Sequence, residues 1–171
     1  MATSVGRNIN GVDVDELRQY IDRCAIDAGL ADRNPEVIAR WVGGTRAEVA
    51  SKTGGPPVYM GGPEDPSAMG MLLRTLAACD VEVVVNTASL LGVEIEDLSI
   101  EATGYFNVKQ YLGLPAESDA AYQRASYTVR LKTRGATPQQ LAAIREAVRD
   151  RSPVGQTLER SVPVSVDFEA S

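Results

Sequence analysis

Cys79, Asp80 and Glu82 fall together in the most apolar part of the chain, PSAMGMLLRTLAACDVEVVV over residues 66–85. A thiol placed there is either a small core residue or a nucleophile, and the two carboxylates beside it are candidate general acids or bases. The chain has no histidine. That removes Ser–His and Cys–His nucleophile pairs and leaves any catalysis to Cys, Asp, Glu, Tyr, Arg or Lys. Cys24 and Cys79 are its two cysteines. They fit no zinc spacing and make no disulfide framework, so no metal and no cofactor is expected.

Helical geometry decides which acid can act on the thiol. Successive helix positions point about 100° apart, so Asp80 need not face Cys79, whereas Glu82 at i+3 can. A nucleophilic thiol must be ionised, a free thiol titrates at about pH 8.5, and a nearby carboxylate opposes ionisation unless an arginine intervenes. Next to an apolar pocket the same acids can instead move protons for a substrate. The plain alternative is that Asp80 and Glu82 pair with Arg74 or with an arginine of a second copy. Tyr59, Tyr105 and Tyr111 can donate to a substrate oxygen. Tyr105, Phe106 and Trp41 read equally well as core aromatics.

These residues need elements to position them. Residues 1–12 read as a polar, flexible segment, and residues 13–171 as a single domain. DVDELRQYIDRCAIDAG is an amphipathic helix capped by Asp13 with Glu16 three residues on. Leu17, Tyr20, Ile21, Cys24 and Ala28 share its apolar face, which makes Cys24 a core residue, and Gly29 is its stop. EVIARWVGGTRAEVASK is a hairpin turning at Gly43-Gly44, and TGGPPVYMGGPEDP is a loop or irregular strand. Asp65 and Pro66 suit the N-cap and first position of a helix. From there Met69, Leu72, Leu73, Leu76, Ala77, Val81, Val84 and Leu91 repeat at helical spacing to Gly92. VEVVV alone has strand propensity, but the run is too long for a strand, so one long buried helix is expected. VEIEDLSIEATGYF and RASYTVRLKT are strands around a polar excursion. TPQQLAAIREAVRDRS is a helix with a Thr137–Gln140 capping box and Pro138 at its first position. SVPVSVDFEA is a closing edge strand. The order makes an α+β protein.

Composition bounds the function. The chain has 171 residues, 44% hydrophobic and 23% charged, with a net charge of −6. No basic stretch stands out, which argues against nucleic-acid binding. No apolar run reaches the length of a membrane span, and the first residues have no apolar core of a signal peptide. A cytoplasmic location is the expectation.

DPSAMGMLLRTLAAC, followed by LLGVEIEDLSIEATGYF and by ATPQQLAAIREAVRDRSPVGQTL, resembles the OsmC/Ohr family of osmotically inducible and organic-hydroperoxide-resistance proteins. The first stretch follows the family pattern Pro-Ser-Pro-Met-Glu-Leu-Leu-Leu-Ala-x-Leu-Ala-x-Cys. NGVDVDELRQYI and RWVGGTRAEV extend the resemblance over nearly the whole chain. It implies antiparallel sheets wrapped around long central helices in an intertwined homodimer, with the thiol on the helix near the subunit interface. In peroxidase members a first cysteine attacks the peroxide and a second resolves the sulfenic acid. A glutamate near the helix start and an arginine from an early strand hold the first thiol. On this chain Cys79 takes the first cysteine's place, Ser152 the second's and Gly70 the glutamate's. Arg46, or else Arg40, takes the arginine's. Met69, Tyr59 and Ser152 become candidate pocket residues, although Ser152 beside Pro153 also reads as a cap.

The leading expectation is a thiol-dependent reduction of organic hydroperoxides, completed by an external thiol reductant. The alternatives are a cofactor-free enzyme using Asp80 or Glu82 on a small apolar or carbonyl-bearing molecule, and a non-catalytic ligand-binding protein.

Overall fold

The computed structural model describes residues 7–160 and residue 164. Its first element is a tight hairpin, β1 (Asn8–Ile9) with β2 (Val12–Asp13). Asn10 and Gly11 form the turn with φ of 55° and 83°, the left-handed pair that a two-residue hairpin requires and that Asn-Gly supplies. Ile9 is buried, and Asn10 reaches across to the long helix and the strand after it. The flexible segment expected over residues 1–12 is therefore, from Asn8 onward, a docked hairpin.

Helix α1 (Val14–Ile26) starts where expected: Asp13 accepts from the amides of Asp15 and Glu16 at 3.1 and 3.0 Å. It ends at Asp27, before a 3-10 turn over Ala28–Leu30, rather than running to Gly29. Strands β3 (Val37–Trp41), β4 (Ala47–Ser51) and β5 (Val58–Met60) make an antiparallel sheet in that order. Gly43 and Gly44, both at positive φ, turn the first hairpin. Every residue of β3 is exposed, and Trp41 keeps 78% of its surface. Its reading as a core aromatic does not hold in the protomer.

The long helix α2 spans Ala68–Leu90, VEVVV included. Its cap is Ser67, whose Oγ accepts from the Gly70 amide at 3.0 Å, two residues later than the expected Asp65. Asp65 turns away to an arginine instead. Gly92 at φ 74° follows the last turn, and the Val93 amide closes back on the Ala88 carbonyl at 2.8 Å. Leu76, Asp80, Val84 and Ala88 are the buried positions of one face, four residues apart. Tertiary burial of this stripe overrides the strand propensity of its valines.

Strands β6 (Glu94–Phe106) and β7 (Tyr122–Arg134) form a long antiparallel hairpin, with Leu98 opposite Leu131 and Ile100 opposite Val129. A bulge between Ile95 and Asp97 restores the inward alternation. Ile95, Leu98, Tyr127, Val129 and Leu131 pack on a core of Val84, Ala88, Val93, Ile144 and Val148. Helix α3 (Pro138–Arg151) carries the full Thr137–Gln140 capping box, and Gln140 Nε2 donates to the Leu91 carbonyl at 3.1 Å. The capping glutamine thereby ties α3 to the end of α2. Helix α4 (Pro153–Glu159) closes the described chain. The closing strand expected over residues 161–170 lies outside the described residues, Val164 apart. Among the described residues no helix is long and apolar enough to cross a membrane. The α+β class stands.

Candidate functional site

Cys79 lies half-buried on α2. Ser152, 1% exposed, is the N-cap of α4. Its Oγ accepts from the Gly155 amide at 3.0 Å and donates to Cys79 Sγ at 3.8 Å, the distance of a hydrogen bond to sulfur. The sequence places these two residues 73 positions apart, and the α3–α4 corner brings them together. Gly155 is needed there: a Cβ would come 2.9 Å from Ser152 Oγ. The cap reading of Ser152 holds, and the same hydroxyl also serves the thiol.

Asp80, the next residue of α2, is turned about 100° from Cys79 around the helix. It is fully buried, and neither carboxyl oxygen has a hydrogen-bond partner among the described residues. Next to it on β7 is the Tyr127 phenol, whose pKa is pushed up to about 12 by burial first and then by the charge of Asp80. Glu159 and Cys79 add smaller contributions of the same sign. A hydrogen-bonding interaction with Asp80 also contributes to the shift, although it falls short of ordinary hydrogen-bond geometry.

Tyr127 also lines a cavity of about 730 Å³ between α2, β7, α3 and α4, a size that takes a small organic molecule. Leu76, Val84, Val129 and Ile144 make apolar walls, with Arg124, Arg145 and Arg149 as cations and Glu159 as an acid. Gly155, on the cavity wall, donates its amide to Ser152, while Cys79 and Ser152 themselves do not line the cavity. Sequence reasoning missed Tyr127, because an inward strand tyrosine reads as core and nothing local marks the carboxyl behind it.

The remaining candidates lie elsewhere. Arg46, just before β4, pairs with Asp65 through Nε–Oδ2 at 2.7 Å and covers the Tyr59 ring at 4.2 Å. The hydrogen bond to Asp65 raises the Arg46 pKa and lowers that of Asp65. Tyr59 donates to Glu48 Oε2 at 2.8 Å, which raises its own pKa. These four residues form a cluster on the β3–β5 sheet, and within the protomer Arg46 bonds to Asp65 rather than to Cys79. Arg40 is exposed on β3 opposite Glu48. Glu82 is exposed on α2. Neither Glu82 nor Asp80 pairs with Arg74 among the described residues. Met69 is half-buried in the first turn of α2, and its carbonyl accepts from the Tyr122 hydroxyl at 2.7 Å. Met69 and Tyr59 are absent from the cavity wall. Cys24 is half-buried on α1, and Tyr105 and Tyr111 are exposed. Among the described residues no group of three His, Cys, Asp or Glu side chains converges as a metal site.

The comparisons with known proteins point one way. A family model described as OsmC-like protein matches residues 61–167. An OsmC-like protein from Mycoplasma pneumoniae has a similar fold, with TM-score 0.62 and 16% identity over 75% of this chain and 89% of that one. An OsmC-like protein of unknown function from Vibrio cholerae superposes with TM-score 0.59 and 10% identity, over 74% of this chain and 94% of that one. A Legionella pneumophila organic hydroperoxide resistance protein OsmC, described as a predicted redox protein, gives TM-score 0.52 and 13% identity, covering 74% and 89%. At these identities the likeness is one of fold. No curated protein sequence matches the chain.

Proposed function

The chain belongs to the OsmC-like protein family, and on that premise we propose that it is a thiol-centred reductase of organic hydroperoxides that turns over with an external thiol. The observation that carries this reading is the contact of Ser152 Oγ with Cys79 Sγ at 3.8 Å. It puts a hydroxyl donor on the sulfur at the position where the family pattern has its second cysteine. Serine cannot form a disulfide, so the oxidised sulfur must be reduced from outside.

The Cys79 thiol first loses its proton to water. Its thiolate attacks the terminal oxygen of ROOH, the S–O bond forms, the O–O bond breaks, and RO⁻ leaves to be protonated as ROH. One external thiol then displaces water from the sulfenic acid to give a mixed disulfide. A second external thiol releases Cys79 and carries the disulfide away. A homodimer belongs to this reading, supported by the exposed strand β3. So does a reducing compartment such as the cytoplasm, where the external thiol is at hand.

The test is oxidation by cumene hydroperoxide, followed by intact mass in the wild type, Cys79→Ser and Cys24→Ser. One added oxygen that Cys79→Ser abolishes and Cys24→Ser keeps is the expected result. In Ser152→Cys the oxidised protein should instead carry an internal disulfide between Cys79 and the introduced thiol, with loss of two hydrogens. Oxidation of Cys79 no faster than that of a small free thiol rules the reading out.

The unpartnered Asp80 favours a second reading, proton transfer on a carbonyl-bearing molecule in the cavity. It is preferred if Asp80→Asn abolishes turnover of such a substrate while Cys79→Ser does not.

A further inference from the structure

The cavity between α2, β7, α3 and α4 has a wall dominated by one sign of charge. Arg124, Arg145 and Arg149 stand on it against a single acid, Glu159, in a chain whose net charge is −6. Two of the three cations are engaged. Arg149 is held by Asp150 at 2.7 Å and lies 3.9 Å from Glu146, and Arg124 lies over the Tyr105 ring at 4.7 Å. Arg145 enters no ion pair among the described residues. It belongs to a row of α3, Leu141, Ile144, Arg145 and Val148, whose helical spacing turns all four to the cavity. A guanidinium set in an apolar stripe lays its methylene stem on the wall and keeps its head in water. The apolar wall is itself partly wet, since Leu141 and Leu158 are exposed. Val164, the described residue beyond Arg160, is exposed as well and does not fill the space.

We propose that this cavity binds a small carboxylate with an apolar chain, the carboxylate paired with Arg145 and the chain laid against Val84, Val129 and Ile144. The site goes beyond the thiol reading and does not rest on it, because Cys79 and Ser152 lie outside the cavity wall. A volume of about 730 Å³ is that of a small-molecule site. Wet leucines gain by being covered, and an arginine without a carboxylate partner gains by receiving one, so both halves of the wall favour the same occupant. The charge balance selects the head group. A cationic head would meet three guanidinium groups, and a doubly charged phosphate would set its second charge against Glu159 with only Arg145 free to receive it. A single negative charge matches the one uncommitted cation.

The test is calorimetric titration with octanoate, octanol and octylamine, which share a chain and differ in head group. The full chain is compared with Arg145→Gln, Leu141→Glu and Cys79→Ser, with circular dichroism confirming each fold. The wild type should bind one octanoate per chain, octanol about 10-fold more weakly, the scale of a hydrogen bond to a charged group, and octylamine not measurably. In Arg145→Gln octanoate should fall to the level of octanol, whose own binding stays as it was. Leu141→Glu, which adds a second acid to the wall, should weaken octanoate more than octanol. Cys79→Ser should bind octanoate like the wild type. Equal octanoate affinity in the wild type and Arg145→Gln overturns the proposal, and so does uptake that never saturates. Loss of binding in Cys79→Ser places the ligand at the thiol and overturns the separate site. No binding by the wild type means that the wall is already covered, by the rest of the chain or by a second copy, and also overturns it. Each of these failures leaves the thiol reading standing, because that reading is decided by Cys79 oxidation without octanoate present.

Discussion

Tyr127 carries a consequence that needs no substrate. Its ordinary pKa of 10.0 is raised to about 12 in the fold, chiefly by burial. A proton bound more tightly in the folded state stabilises the fold below the unfolded value, and that contribution is lost as pH rises through the folded value. Stability should therefore fall between about pH 10 and pH 12 as the unfolded chain loses this proton first. Tyr127→Phe should flatten that fall, seen as a smaller loss in urea midpoint across the interval. Tyr59 and Tyr122 are shifted the same way and stay in both proteins, so part of the slope remains. Identical slopes in the two proteins count against the buried phenol. At this scale a family pattern with a fixed spacing named Cys79 and Ser152 as candidates, and the fold brings the two into contact. The sequence did not reach Tyr127, because a side chain on the inner face of a strand looks the same whether it meets leucine or a carboxyl.

Among the elements, the β1–β2 hairpin shows how a short segment can matter to a distant one. Asn10 Nδ2 donates to Ser89 Oγ and to the Val93 carbonyl at 3.1 and 2.9 Å. Its Oδ1 accepts from the Ile95 amide at 2.8 Å. One side chain thus joins the hairpin to the end of α2 and the start of β6. Buried Ser89 completes the junction by donating to the Ile9 carbonyl at 3.0 Å. Asn10→Gly keeps the left-handed turn but deletes the three bonds, and should cost about 1–3 kcal/mol by urea denaturation. A neutral result means water replaces the amide at no loss. The Asn10-Gly11 signal was present in the sequence, yet two strands of two residues each carry too little periodicity to outweigh a polar composition. The helices were legible for the opposite reason: Asp13 and the Thr137–Gln140 box are local devices, complete within one turn. The start of α2 moved from Asp65 to Ser67 because Asp65 found a distant partner in Arg46.

The whole molecule presents an uneven surface. α2, the β6–β7 hairpin and α3 share one core, while β3 leaves Val37, Ile38 and Trp41 exposed at 67%, 36% and 78%. Sedimentation should show a homodimer that uses this sheet. Trp41→Ser should weaken it by about 2 kcal/mol, the scale of a buried tryptophan anchor at an interface. A wild type that sediments as a monomer at micromolar concentration ends the dimer reading.

The α+β order, the long central helix and the placement of the thiol upon it were determined by the sequence itself, since caps, periodicity and a family spacing are read along the chain. The tertiary structure alone decided that Ser152 touches Cys79, that Arg46 is held by Asp65, and that Asp80 is buried beside Tyr127. Each of these joins residues many positions apart, and their meeting depends on how helices and strands pack, which no local pattern encodes.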